Sequence, residues 1–260
     1  MLVADGLLVR ALATDDPNEV MGVNTRVQLA QAERVARDRV RERVMLAGAT
    51  LLDPPSTMID ADVVIGRDTV IGPGCCLLGA TVVGEGCELR SNVTLRDATI
   101  GDGVLLRDHT VVESGSVGDE SAVGPFALLR GNSSAGARCK LGSSSELNRA
   151  SIGDGSKMQH FSYLGDTRAG ERCNIGAGVV TCNYDGLDKH QTVLEDGVFL
   201  GSDAILIAPV RVGEGAYVAA GSVITKDVPA GSLAIERTDQ RNIQDWVARW
   251  HQRREGRERQ

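Results

Sequence analysis

Residues 59–95 read IDADVVIGRDTVIGPGCCLLGATVVGEGCELRSNVTL. Ile59, Ile65, Ile71, Leu77, Val83, Leu89 and Leu95 recur every six residues, often with Gly next. A helix repeats its apolar positions every three or four residues and an isolated half-buried strand every two, so a sustained period of six needs another structure. A short strand plus a turn, repeated three times per coil, supplies it: a triangular parallel β-helix whose inward aliphatics stack coil upon coil. Gly after the aliphatic suits a corner, where positive φ or close backbone approach is cheap only without a Cβ.

The series continues along the chain. After a five-residue step it resumes at Ile100, Leu106 and Val112, then at Val117, Val123, Leu129, Ala135, Leu141 and Leu147. Two further five-residue steps lead to Ile152, Met158 and Leu164, and then to Ala169, Ile175 and Thr181. The next member is Leu194, thirteen residues on, and the run closes with Leu200, Leu206, Val212, Val218 and Ile224. Seven residues are therefore extra between Thr181 and Leu194 and must leave the prism as a loop. The segment CNYDGLDKHQT has the turn chemistry and polar tip of such an excursion. On length alone it could be a tolerated insertion, but loops on rigid scaffolds often carry function.

Outside the repeat, residues 25–46 show helical spacing at Val27, Leu29, Ala32, Val35, Ala36 and Val40, without Gly or Pro. The tail from Asp239 is polar, carries Trp246 and Trp250, and is expected to form a short helix or arm that frays at its end. The organisation expected is an N-terminal segment with a linker helix at 1–50, the β-helix at 51–237 with its loop at 182–193, and a C-terminal arm at 238–260.

Composition narrows the function. Aromatics make up 3% of the chain against 31 Gly, which suits a narrow aliphatic interior. A net charge of -7 argues against nucleic-acid partners, which need clustered cations. No window reaches a membrane span and the N-terminus lacks the pattern of a signal peptide, so a cytoplasmic location without a membrane partner is expected. Cys75, Cys76, Cys87, Cys139, Cys173 and Cys182 form neither a CxxC pair nor a zinc spacing with histidine, and are expected as free thiols in small core or surface positions.

His160 lies two residues past the inward Met158 and three before Tyr163. A lone histidine serves structure as readily as catalysis, but imidazole is a suitable general base for an amine nucleophile. Repeat counting puts Asn183 about one coil later, so the loop can fold back over the face bearing His160 and Tyr163.

The hexapeptide pattern resembles the left-handed β-helix acyltransferases; the left hand comes from that resemblance, since general crossover rules favour the right. HFSYLGD (160–166), NIGAGVVTCNYDG (174–186), GSDAILIAPV (201–210) and QRNIQDW (240–246) closely resemble the acetyltransferase half of the GlmU family. These are bifunctional bacterial enzymes, glucosamine-1-phosphate N-acetyltransferase and N-acetylglucosamine-1-phosphate uridylyltransferase. GVNTRVQLAQAE (22–33) and MLAGATLLDPPSTMIDADV (45–63) look like the segment between the two halves, which implies that 1–50 is the remnant of an interdomain region.

The resemblance implies acetyl-CoA-dependent N-acetylation of glucosamine-1-phosphate, feeding UDP-N-acetylglucosamine and hence peptidoglycan and other cell-envelope polymers. It implies His160 as general base, and Arg130, Tyr163 and Asn174 as sugar-phosphate ligands. Ala177, Asn183, Tyr184, Ser202, Ala220 and Arg237 would surround the acetyl-CoA thioester and its carrier, with Lys189 a weaker candidate for a phosphate or CoA contact. It further implies a homotrimer with sites between prisms and a C-terminal arm, including Trp246, that reaches a neighbour.

Two departures stand out. The family's uridylyltransferase domain has no counterpart in these residues beyond its final stretch, where Asn24 matches a magnesium-binding asparagine. One Asn cannot build that site, so neither uridylyl transfer nor a metal is expected, and a separate uridylyltransferase is a candidate partner. Locally, RGN (130–132) stands where the family has Arg-Pro-Gly, and in SELNR (145–149) Asn148 stands at a substrate-phosphate lysine position unless Arg149 or Lys140 substitutes. The alternative function is a non-catalytic trimeric scaffold or sugar-nucleotide-binding relic. A zinc hydrolyase on the same prism is disfavoured because His109, His160, His190 and His251 lack close ligand spacing.

Overall fold

The computed structural model describes residues 4–6, 8–10 and 12–257. A helix, Arg26–Leu46, leads into a three-sided parallel β-solenoid, and a second helix, Trp246–Arg257, follows it. Among the described residues the three faces hold eleven, ten and nine strands, each paired only with the strands one coil above and below. The first face runs from Thr50–Leu51 to Leu233–Ala234, the second from Met58–Ile59 to Val223–Ile224, and the third from Val64–Ile65 to Val210–Val212.

The six-residue series is the axis of the core. Every member from Ile59 to Ile224 points inward, and the most accessible of them, Ile65, is only 9% exposed. In-register stacking puts like on like, as in Leu77 over Leu95 and Leu147 over Leu164. Two residues before the aliphatic sits a buried small side chain that donates to a carbonyl of the next coil. Thr69 Oγ1 bonds Gly84 O at 2.8 Å, Ser121 Oγ bonds Gly136 O at 2.9 Å, and Cys87 Sγ reaches Gly101 O at 3.0 Å. Cys75, Cys139 and Cys173 occupy the same position, and burial raises these thiols, Cys75 up to about 11.

Of the two reasons for Gly after the aliphatic, close approach operates. A Cβ on Gly66 would stand 2.5 Å from the backbone of Gly84. Except at Gly124, with φ of 96°, positive φ falls instead on a later corner residue, often Asp, Asn or Arg, such as Asp68, Asn92 and Asp166. Asx side chains tolerate that conformation better than most.

The helix Arg26–Leu46 starts with a capping box, in which Thr25 Oγ1 accepts from Gln28 N and Gln28 Oε1 accepts from Thr25 N. Only its C-terminal third packs on the prism. Val44 is buried, and Arg41, 8% exposed, donates to Thr57 O, whereas Val27 and Leu29 from the sequence-derived apolar face remain exposed. In the C-terminal helix Trp246 stacks on Trp250 and both are exposed; residues 258–260 of the expected fraying end lie outside the described residues.

Candidate functional site

The chain leaves its repeat on the edge between the second and third faces. The strand Val180–Cys182 belongs to the second face, residues 183–191 form the excursion, and Thr192–Leu194 rejoins the third face. The interruption weakens the ladder beneath it, where Tyr163–Gly165 pairs with Val180–Cys182 only at Tyr163 and Val180. The Thr181 hydroxyl replaces the lost acceptor, taking the Gly165 N–H at 2.8 Å. This explains a threonine at an inward position otherwise held by aliphatics.

The excursion is a small hairpin with its own internal frame. Tyr184 and Lys189 bridge antiparallel, and His190 N donates to Asn183 O at 2.8 Å. Asp185 Oδ1 accepts from the backbone N–H groups of Leu187 and Asp188, and His190 Nε2 lies 2.7 Å from Asp185 Oδ2. These partners, His190 first, hold the Asp185 carboxyl well below the usual carboxylate range. Tyr184 turns back on the loop, its hydroxyl donating to Gly186 O.

On the second face polar side chains from four successive coils line up, as one ion pair and one hydrogen-bonded chain. The Arg130 guanidinium meets Glu146 at 2.8 Å, and Glu146 stands in register beside Tyr163. The Tyr163 ring lies over Gly165, where a Cβ would come within 2.5 Å of its hydroxyl, so glycine lets the ring lie in this position. That hydroxyl accepts from Asn148 Nδ2 at 3.2 Å, and Asn148 Oδ1 accepts from Arg149 Nη1 at 3.0 Å. Arg149 grips Asp166 with two parallel bonds of 2.6 and 2.8 Å, and Asn183 Nδ2 also donates to Asp166. Hydrogen bonding from Arg149, then Asn183, keeps the Asp166 carboxyl low.

A second group follows the edge between the first and second faces. His160 ends the strand Lys157–His160 and is in register with Ser143. The pairing of Lys157 with Asn174, Asn174 with Phe199 and Phe199 with Tyr217 fixes what lies beneath: Ala177, then Ser202, then Ala220, one per coil. Backbone bonds from Asp203 N to Ala177 O and from Gly221 N to Ser202 O mark the same alignment. Arg237 reaches up from the end of the prism and donates to Ala220 O at 2.8 Å. At about 4.8 Å per coil, His160 to Ala220 spans about 14 Å. The edge is lined by small side chains over three coils, with an exposed imidazole at one end and a guanidinium at the other.

The structure thus brings together most of the residues anticipated from sequence, but in two groups. Tyr163 and Asn183 share the hydrogen-bonded chain of the second face, with Arg130 beside it in its pair with Glu146; His160, Ala177, Ser202, Ala220 and Arg237 share the edge. Asn174 stands on the first face, in register with Lys157, which is about 10 Å along the strand from the His160 position. The loop is tied to Asp166 on the far edge of the second face, so it does not fold back over His160 within the chain. Lys140 is in a first-face strand and the Arg149 guanidinium is engaged by Asp166, so neither stands as an unpaired cation in place of a lysine at 148. Sequence reading missed Glu146 and Asp166. Arg149 and Asp166 are seventeen residues apart, one coil here, so coil arithmetic applied to opposite charges was the available signal.

Among the described residues no group of three or more His, Cys, Asp or Glu side chains could hold a metal ion, and no helix is long and apolar enough to cross a membrane.

Comparison with known proteins agrees with the repeat. The family described as bacterial transferase hexapeptide (six repeats) matches residues 62–97 and 191–226. The bifunctional protein GlmU of Trichlorobacter lovleyi is 51% identical over 244 residues, 94% of this chain and 53% of that protein. That of Streptomyces avermitilis is 50% identical over 244 residues, 94% of this chain and 50% of its own length. The chain spans about half the length of these curated relatives. Among solved structures, the UDP-N-acetylglucosamine acyltransferase from Campylobacter jejuni superposes with a TM-score of 0.55 at 18% identity, covering 76% of this chain and 81% of the other, a likeness of fold. With 44–51% identity to eight GlmU proteins across nearly its whole length, the chain is a homologue of the C-terminal, hexapeptide-repeat region of GlmU.

Proposed function

We propose that the chain is an acyltransferase that moves the acetyl group of acetyl-CoA to the amine of glucosamine-1-phosphate. The observation that carries this reading is the edge beneath His160. A thioester carrier is long and thin, and the Ala177, Ser202 and Ala220 column leaves room along one straight edge, with Arg237 at its end for the carrier's anionic portion. His160 takes a proton from the sugar amine as its nitrogen attacks the thioester carbonyl. The C–N bond forms, the oxyanion collapses, the C–S bond breaks, and CoA leaves as a thiolate that is then protonated. A hydrogen-bond donor aimed at the oxyanion is worth about 3 kcal/mol in comparable acyl transfers, and Asn183, at the base of a neighbouring prism's excursion, is the candidate donor.

Tyr163 and Arg130 hold the acceptor on this reading. The division of the candidate residues between two edges and two faces favours a site completed by a neighbouring prism, hence a homotrimer. The product would enter UDP-N-acetylglucosamine synthesis, with uridylyl transfer outside this repeat region. Purified protein incubated with acetyl-CoA and a panel of amino-sugar phosphates, with free CoA followed by a thiol reagent, tests the proposal. Release of CoA dependent on glucosamine-1-phosphate is expected; no release with any amino-sugar phosphate refutes it. The pairing of Arg130 with Glu146 and of Arg149 with Asp166 favours a second reading, a non-catalytic sugar-nucleotide-binding scaffold. The same assay, run beside binding of the sugar nucleotide, separates the two.

A further inference from the structure

We propose that Asp166 is a positioning residue that couples the excursion loop to the acceptor side of the site, an inference that rests on the acetyl-transfer reading for its kinetic part alone. The loop leaves and rejoins the prism at this residue. At the departure, Asn183 Nδ2 donates to the Asp166 carboxylate; at the return, Thr192 N donates to Asp166 O at 3.2 Å. The same carboxylate is gripped at 2.6 and 2.8 Å by Arg149, whose Nη1 bonds Asn148, whose amide holds the Tyr163 hydroxyl. Asp166 itself is fixed from above, its N–H donating to Asn148 O at 3.0 Å. Every member of the chain Tyr163, Asn148, Arg149, Asp166, Asn183 therefore has a bonded neighbour on each side or an end in the site.

The chemistry of the links explains why this residue must be an acid. Only an ionised carboxylate offers enough lone pairs to accept two guanidinium N–H groups and an amide N–H at once. Asn183 is 8% exposed and Asn148 5%, so neither amide has ready access to water as a substitute partner. The hairpin beyond Asn183 is closed by its own Asp185 and His190 contacts, so it moves as a unit about its base. A loosened base displaces Asn183 and Tyr184 together. Shifting Arg149 off Asp166 also releases Asn148 and, through it, the Tyr163 ring. One substitution is thus expected to reach both the donor and the acceptor sides.

Asp166→Asn is the diagnostic variant. Asp166 has φ of 46°, a left-handed conformation that Asn adopts as readily as Asp, so the backbone can stay in place while the bidentate acceptor is lost. Hydrogen exchange followed by mass spectrometry on the full chain reads the loop directly. Exchange across 183–191 should rise about tenfold or more, while the coils at 105–130 stay unchanged and the far-UV spectrum is retained. Arg149→Gln, which breaks the same pair from the other side, should loosen the loop in the same sense. In steady-state acetyl transfer, Asp166→Asn should both lower kcat and raise the KM for the amino-sugar phosphate, whereas a merely structural role would lower the active fraction and leave KM alone. Loop exchange equal to wild type in Asp166→Asn overturns the proposal, whether or not the protein transfers acetyl groups. Absence of acetyl transfer in the wild type, with a loosened loop in the variant, overturns the functional reading and leaves the coupling standing.

Discussion

Replacing Ala220 by Phe tests the idea that the edge beneath His160 is a track. Ala220 is exposed, three coils and about 14 Å below His160, and its carbonyl is held by Arg237. A benzyl group there projects into the path without entering the core. If a carrier running down the edge loses about 60–100 Å² of apolar contact when it is forced aside, the loss is about 1.5–2.5 kcal/mol at 25 cal/mol per Å². That converts to a KM for acetyl-CoA raised by about 10- to 70-fold. The assay compares two donors, acetyl-CoA and the acetyl thioester of a short thiol that ends before the second coil. Only the long donor should suffer, and the short one should change by less than about twofold. Equal effects on both, or none on either, would refute the placement of the donor along this edge.

Other substitutions probe the remaining links. His160→Ala should lower kcat by about 10²- to 10⁴-fold with acetyl-CoA binding preserved by calorimetry, because a base assists the chemical step; more than half the wild-type rate would make the imidazole structural. Gly165→Ala should raise the acceptor KM with little loss of thermal stability, since its Cβ would meet the Tyr163 hydroxyl at 2.5 Å and the ring can swing outward; an unchanged KM would detach Tyr163 from the acceptor. Gly142→Ala is instead a fold variant. Its Cβ would stand 1.9 Å from the backbone O of Gln159 in the next coil, and the backbone shift should cost about 1–3 kcal/mol in denaturant unfolding. A maleimide should label no more than Cys76 and Cys182 in the native protein, the other four thiols being buried and poorly ionised; rapid labelling of a third by mass spectrometry would contradict the corner packing.

The fold was legible because its rule is local and repeats. Each coil imposes the same demand, an aliphatic inward and a Cβ-free residue where the next coil comes close. A period of six carries that demand through Ile71, Leu106, Leu147 and Leu206 without knowledge of any other contact. Even the break could be located, from the thirteen residues that separate Thr181 and Leu194 where the period allows six. The partition of the site was harder to read. Coil counting places Asn183 one coil beyond Tyr163, but which edge a loop leaves by depends on which of three faces its strand occupies. The helix Arg26–Leu46 posed the converse problem. Its spacing defines an apolar stripe, but only the last turns, through Val40, Arg41, Arg43 and Val44, meet the end of the prism, because one coil is too narrow to cover more.

Asn148 shows how charge pairing recasts a residue that sequence reading treated as a missing cation. Its amide is 5% exposed and has two bonds, to Tyr163 and Arg149, so it is a structural link on the acceptor face. A lysine there could attract a phosphate, worth about 1.5–3 kcal/mol for a charge-assisted bond. It would also forfeit both amide bonds and place an ammonium beside Arg149. Losing one neutral bond at about 0.5–1.5 kcal/mol and one charged bond at about 1.5–3 kcal/mol frees Tyr163 from its place on the acceptor face, and re-forming that geometry in the complex would offset a gain of similar size. Asn148→Lys is therefore expected to leave the KM for glucosamine-1-phosphate within about tenfold of wild type and to lower kcat as Tyr163 loses its partner. A KM lowered by more than tenfold with kcat intact would show that the network yields easily. The phosphate, and not the Tyr163 contact, would then dominate acceptor binding.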